Sequence, residues 1–207
     1  MLIVQFTDTH VMAEGRLAYK RFDTYAMLAR AIDAICALDP APDLALATGD
    51  LVDRGSPEEY ARLKTQLDRL PMKLALKPGN HDVRGPMAAA FAKSAIVGEG
   101  EFLHWVRDDL GPVRVIGLDS LSPGQVGGSL CDKRIAWLDA TLAAAPERPT
   151  FVALHHPPFP TGIAHIERFA FSGADALVRV VAKHRQIGRG VAGALHRPMI
   201  AGTARAS

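Results

Sequence analysis

Short runs rich in Val, Ile and Leu recur along the chain, separated by longer stretches in which apolar residues return every three or four positions. The first pattern suits buried strands and the second suits amphipathic helices, so their alternation predicts a layered α/β architecture rather than an all-helical or all-strand one. Strands are expected over residues 2–6, 44–48, 73–77, 113–118 and 151–155. A helix over 24–38 would carry Tyr25, Leu28, Ala29, Ile32, Ile35 and Cys36 on one stripe, which puts Cys36 in the core. A second helix has a clear start, with Ser56 as N-cap, Pro57 at the first helical position and Glu59 three residues past the cap, and should run to about Leu70. Further helices are expected over 133–144 and 174–184; residues 122–129, with three glycines and a proline, read as a loop, and 201–207 as a frayed tail.

Composition narrows the picture. At 207 residues and 48% hydrophobic content the chain can bury one sizeable core, and no repeat or linker divides it, so one domain over 1–207 is expected. A net charge of +2 supplies no field for a polyanion, which argues against nucleic acid as an obligate partner, and the basic run over 183–189 reads as a solvated face. Cys36 and Cys131 are far apart and form no close-spaced pair, which argues against a thiolate metal site or a disulfide framework and fits a reducing cytoplasm. No run approaches the ~20 apolar residues of a spanning helix, and the apolar start over 1–6 is too short for a signal segment, so a soluble, unprocessed chain is expected.

The informative feature is where the polar residues fall. Nearly every expected strand ends in Asp, Asn or His, where the C-terminal edge of a sheet opens into a crevice. After the first strand comes Thr7-Asp8-Thr9-His10; extended backbone there would send Asp8 and His10 to one side, where a single cation could take both. After the second comes Gly49-Asp50-Leu51-Val52-Asp53-Arg54-Gly55, after the third Pro78-Gly79-Asn80-His81-Asp82, and after 151–154 comes His155-His156-Pro157-Pro158. Each has a bland reading alone: a capping turn for Asp8 and His10, an ion pair for Asp53 and Arg54, an Asx turn for Asn80 and Asp82. Four strand ends with oxygen or imidazole donors and no Cys are better explained together, as a metal site.

In this order the segments Asp-x-His, Gly-Asp-x-x-Asp-Arg-Gly, Gly-Asn-His-Asp and His-His-Pro-Pro resemble the calcineurin-like metallophosphoesterases, over residues 1 to about 200. Gly117-Leu118-Asp119-Ser120, Pro123-Gly124-Gln125, Gly127-Gly128 and Trp137-Leu138-Asp139 resemble the branch of class III cyclic nucleotide phosphodiesterases and glycerophosphodiesterases. The resemblance implies a four-layer αββα sandwich and two adjacent cations (Fe, Mn, Zn or Co) sharing a hydroxide. It assigns the first to Asp8, His10, Asp50 and His196 and the second to Asp50, Asn80 and His156, with Asp50 bridging. His81 would contact phosphate or assist the leaving group, and Asp82 and Asp53 would orient ligands. Extended neighbours face opposite ways, so only one of His155 and His156 can face the metals, and the motif selects His156. His104, His165 and His184 match no ligand position, and Arg54 is expected to form a local ion pair rather than hold phosphate.

The pattern breaks at one place. The family's closing Gly-His-x-His stands here as Gly193-Ala194-Leu195-His196, so Ala194 occupies an expected ligand position and the second cation should bind weakly. The chain also ends soon after His196, so strands that complete the second sheet are expected to be missing or altered, and exposed edges would favour self-association of no fixed stoichiometry. The leading functional expectation is a phosphodiesterase for small diesters, cyclic nucleotides or glycerophosphodiesters, with no membrane partner. A phosphomonoesterase of the same fold comes second, and a catalytically impaired metal-binding protein, motivated by Ala194, third.

Overall fold

The computed structural model describes residues 1–164, 167–169 and 171–195. Its elements run β1 (Ile3–Phe6), α1 (Thr24–Cys36), β2 (Leu44–Thr48), α2 (Pro57–Leu67), β3 (Lys73–Lys77), α3 (Arg84–Phe91), β4 (Trp105–Arg107), β5 (Arg114–Gly117), α4 (Asp132–Ala143), β6 (Thr150–Ala153), α5 (Ala174–Lys183) and β7 (Ile187–Val191). They form a three-stranded sheet, β1-β2-β3, and a four-stranded sheet, β4-β5-β6-β7. Every pairing is parallel except β4 with β5.

Side-chain alternation builds the layers. On β2, Leu44 and Leu46 face the second sheet and join Ala75, Trp105, Val115 and Ala153 between the sheets. Ala45 and Ala47 point the other way, into a cluster with Leu28 and Ile32 of α1, Tyr60 and Leu63 of α2, and Met87 and Phe91 of α3. On the second sheet Ile116 and Val152 face Leu138 and Leu142 of α4 and Leu177 and Val180 of α5. The result is the expected αββα sandwich, with Trp105 Nε1 donating across the sheets to Leu76 O at 2.9 Å. The cap of α2 is the expected capping box: Glu59 N–H donates to Ser56 Oγ and Ser56 N–H to Glu59 Oε2, both at 3.2 Å.

Three elements escaped the sequence pattern. Helix α3 opens Arg84-Gly85-Pro86 and has no side-chain cap, so it carries breakers where start signals belong. Strand β4 is only three residues long. Strand β7 reads Ile-Gly-Arg-Gly-Val and overlaps the end of the stretch 183–189 expected to be a solvated face; its middle is exposed, but its backbone completes the open edge of β6. Cys36 corrects another expectation: it is exposed at the end of α1, where the stripe of Leu28, Ile32 and Ile35 has already rotated past the core.

One buried charge has a measurable consequence. Lys77, fully buried, donates to Leu103 O and lies beside Trp105. Burial pushes its pKa down to about 7, against the pull of Asp119 and with help from Arg84. The unfolded chain therefore holds this proton to higher pH than the folded one, so the cost of the buried charge is fully present below pH 7 and is relieved as pH rises toward the ordinary lysine range. Between pH 7 and 9, urea unfolding of wild type should gain on the order of 1 kcal/mol per pH unit relative to Lys77→Met. Parallel stability curves for the two proteins would contradict this.

Candidate metal centre

The strands other than β4 run parallel within each sheet, and the loops leaving β1, β2, β3, β5, β6 and β7 supply the polar residues of the site. Hydrogen bonds tie the two sheets together there. Gln5 Nε2 donates to Thr48 Oγ1 (2.8 Å) and Ala192 O (3.2 Å), and Gly193 N–H donates to His155 O at 2.7 Å. Ala194 N–H donates to Asp8 Oδ2 at 3.1 Å.

The loop after β1 is not extended. Asp8 and His10 have φ values of 56° and 39°, as Asp50 does at 49°, in the left-handed region that costs most residues energy. The loop is laid along its neighbour instead, with Asp8 N–H donating to Gly49 O (2.9 Å), His10 N–H to Asp50 O (2.9 Å) and Val11 N–H to Leu51 O (3.0 Å). The two residues do reach the same region, but through these turns and not through strand alternation. His10 Nε2 lies 3.8 Å from Asp50 Oδ2.

Asp50 is the centre of the arrangement. It is buried, accepts from His81 N–H at 2.9 Å and lies 3.5 Å from His155 Nε2. Burial by itself would raise its pKa, but His155, the His81 amide and His10 hold the carboxyl well below the usual range. Among the described residues two clusters bring possible ligand atoms within 4.8 Å of one another: Asp8, Asp50 and His155, and His10, Asp53 and His81. A cavity of about 360 Å³ is lined by His10, Asp50, Asn80, His81, His156 and Ala194, with Phe159, Phe169 and Phe171 among its other walls.

The resemblance selects His156 over His155, but strand alternation is not what tells them apart in the structure. Strand β6 stops at Ala153, two residues short of the expected end, so alternation does not separate the two histidines; their rings meet edge to face at 4.7 Å. His155 is buried, and its Nδ1–H donates to Thr48 O at 2.7 Å. Burial disfavours its charge, yet the carboxylates of Asp50 and Asp8 push its pKa up. Next to it, burial and the His155 charge push His156 down to about 3, so this imidazole is neutral. His156 Nε2 is buried and makes no hydrogen bond, while Nδ1 meets Ser120 Oγ at 2.8 Å.

The remaining expectations can be placed. His81 Nδ1 lies 2.8 Å from Asp53 O; a carbonyl only accepts, so Nδ1 carries the proton and Nε2 is the atom left for chemistry. Asp82 accepts from Gly79 N–H (2.9 Å), Leu51 N–H (3.2 Å) and Tyr60 Oη (2.9 Å), which latches the loop after β3 to the loop after β2. Burial pushes its pKa up to about 6. Arg54, itself exposed, pairs with the half-buried Asp53 at 3.7 Å, a contact of little energetic weight. His104 stacks on Trp137 at 4.4 Å and His184 pairs with Asp139 at 2.6 Å, both structural. His196 and His165 lie outside the described residues. Tyr60 carries no local signature in the sequence, and Asp119 and Ser120 stand there only as part of the motif 117–120, which gives them no contact partner.

The donor set is carboxylate, amide and imidazole, with Nε2 of His156 buried and unbonded. Such a set fits a divalent cation, for which an otherwise unmatched imidazole nitrogen is a natural ligand. The profile of the calcineurin-like phosphoesterases matches residues 1–182. The chain belongs to that family.

A probable glycerophosphodiester phosphodiesterase GpdQ of Arcobacter nitrofigilis is 34% identical over 198 residues, covering 95% of this chain and 72% of that protein. The 3',5'-cyclic adenosine monophosphate phosphodiesterase CpdA of Pseudomonas aeruginosa is 33% identical over 187 residues, covering 90% of this chain and 66% of that protein. These relatives fall in the phosphodiesterase branch that the sequence resembles. The chain spans 52% of the length of one such relative and 75% of another. Among solved structures, a dimetal phosphatase from Danio rerio superposes with a TM-score of 0.69 at 15% identity, covering 92% of this chain and 80% of that one, a likeness of fold. No described helix is long and apolar enough to cross a membrane.

Proposed function

We propose that this calcineurin-like phosphoesterase hydrolyses small phosphodiesters, with two cations (Fe, Mn, Zn or Co) held at the carboxylate and imidazole cluster. Asp8, His10, Asp50 and His196 would hold the first and Asp50, Asn80 and His156 the second. Such a pair supplies Lewis-acid charge on the phosphoryl oxygens and a nucleophile available at neutral pH. The chain's own contribution is placement: the His81 amide fixes the Asp50 carboxylate, Asp82 fixes the loop that carries Asn80, and His81 Nε2 is the atom to hold or deliver a proton at the leaving oxygen.

The observation that favours a diester is a second cavity of about 560 Å³, lined by Asp53, Arg54, Arg84 and Gln125, which shares Asn80, His81 and Val126 with the first. A phosphorus atom near Asn80 would have room for one ester arm on each side. A monoester dianion calls instead for converging cations, but Arg84 is bound at 2.7 and 3.0 Å to Asp119, and Arg54 is paired with Asp53. The names of the relatives support glycerophosphodiesters or cyclic nucleotides as substrates. Two exposed, free cysteines suit a cytoplasmic chain.

The assay is hydrolysis of bis(p-nitrophenyl) phosphate against p-nitrophenyl phosphate with each metal. At least about tenfold higher kcat/KM for the diester is expected, a margin of ~1.4 kcal/mol in transition-state binding. A preference for the monoester removes the diesterase reading. Hydrolysis of neither favours the metal-binding protein without catalysis.

A further inference from the structure

The loop after β5 is more firmly built than a substrate-facing loop requires. Asp119, fully buried, accepts four hydrogen bonds on its carboxylate: Arg84 Nε (2.7 Å), Arg84 Nη2 (3.0 Å), Leu103 N–H (2.9 Å) and Leu121 N–H (2.9 Å). Its backbone is fixed as well, with Asp119 N–H donating to His104 Nδ1 at 3.0 Å and Arg134 Nη1 donating to Asp119 O (3.2 Å) and Leu121 O (3.0 Å). Ser120 sits between these anchored residues, and its own carbonyl accepts from Ser129 N–H at 2.9 Å. Its hydroxyl therefore has little freedom to move.

That hydroxyl makes two contacts, both with one residue. Ser120 Oγ accepts from His156 N–H at 3.3 Å and meets His156 Nδ1 at 2.8 Å. Gly128 packs against the same imidazole so closely that a Cβ there would lie 2.5 Å from His156 Cβ and Cγ. The ring is thus held between Ser120 and Gly128, with the Val126 backbone also beside it, and Nε2 is buried without a hydrogen-bond partner.

We propose that Ser120 is a positioning residue for His156: its hydroxyl oxygen accepts a hydrogen bond from Nδ1–H and thereby fixes the rotation and tautomer in which Nε2 presents a lone pair to a cation shared with Asp50 and Asn80. A neutral imidazole has one N–H, so a hydrogen bond that keeps it on Nδ1 leaves Nε2 free to ligate. If the hydroxyl donated to Nδ1 instead, Nε2 would carry the proton and could not bind metal. Partners of this kind orient the ligand and raise its basicity. Ala194 adds weight to the contact, because the second cation has lost one expected imidazole and depends more on the one that remains. The proposal rests on reading Asp50, Asn80 and His156 as a cation site.

Calorimetric titration of the metal-stripped full chain with Mn²⁺ tests it without reference to turnover. Two binding events are expected for wild type, with Ser120→Ala weakening the second ~10- to 100-fold and leaving the first within about threefold. Ser120→Thr, which keeps the hydroxyl, should restore the second event. ¹⁵N-histidine spectra of the Zn²⁺-loaded chain give a separate readout: His156 should show a protonated Nδ1 in wild type and lose that signature in Ser120→Ala. An unchanged second event and an unchanged spectrum in Ser120→Ala would overturn the proposal and leave the cation site standing. A single binding event in wild type would instead remove the second site, and the role of Ser120 with it.

Discussion

Gly79→Ala is expected to lower kcat/KM for the diester substrate at least ~100-fold, because displacement of a catalytic group by about 1 Å commonly costs that much. A Cβ at position 79 would lie 2.3 Å from both the amide nitrogen and Oδ1 of Asp50, a separation that no real Cβ contact tolerates. The atoms in the way are not the far end of a flexible side chain. They belong to a residue at φ 49° whose carbonyl accepts from His10 N–H and whose carboxylate accepts from His81 N–H. Either Asp50 moves away from His10 and His155, or the Asn80 loop swings out and breaks the Gly79 N–H bond to Asp82. A stability loss of about 1–3 kcal/mol, typical of overpacking, should accompany the kinetic effect. Gly188→Ala is the control, since a Cβ there meets nothing within 4 Å and the residue lies in β7, outside both cavities. Steady-state kinetics at saturating metal with urea melts separate the two variants; Gly79→Ala activity within about threefold of wild type would refute the packing argument.

Ala194→His is the second large effect and acts in the opposite direction. Ala194 lines the cavity with Asp50, Asn80 and His156, and its amide is fixed on Asp8 Oδ2. Its φ of 61° is unfavourable for alanine, and histidine is among the residues that enter this region more readily, as His10 does in this same site. An added imidazole should tighten the second of the two proposed cations at least ~10-fold, the scale on which metal sites respond to the loss of even a supporting partner. Turnover should then saturate at correspondingly lower metal, with a smaller change at metal excess. Calorimetry and the dependence of kcat on metal concentration provide the check. Identical metal dependence in the two proteins would mean that position 194 is not a ligand position, and the alignment of the closing motif would be wrong.

The five strands expected from apolar runs and the helices α1, α2, α4 and α5 all formed, because each rests on local physics: a buried stripe, a period of two, or a cap such as Ser56 with Glu59. The collection of Asp8, His10, Asp50, Asn80 and His156 at one edge was also legible, since parallel strands must end on the same side whatever their neighbours are. Tertiary structure alone decided the rest. Whether two adjacent histidines oppose each other depends on where β6 stops. That in turn depends on pairing with β5 and β7 and is not written in residues 150–156. The left-handed turns at Asp8, His10 and Asp50 go with hydrogen bonds between the loops after β1 and β2, segments that lie far apart in the chain. Asp119 and Ser120 stand in a motif visible in the sequence, but their contacts, like those of Tyr60, come only from residues met across the core. Periodicity and caps are properties of consecutive residues, whereas tautomer, carboxylate orientation and room for a Cβ are properties of neighbours that folding supplies.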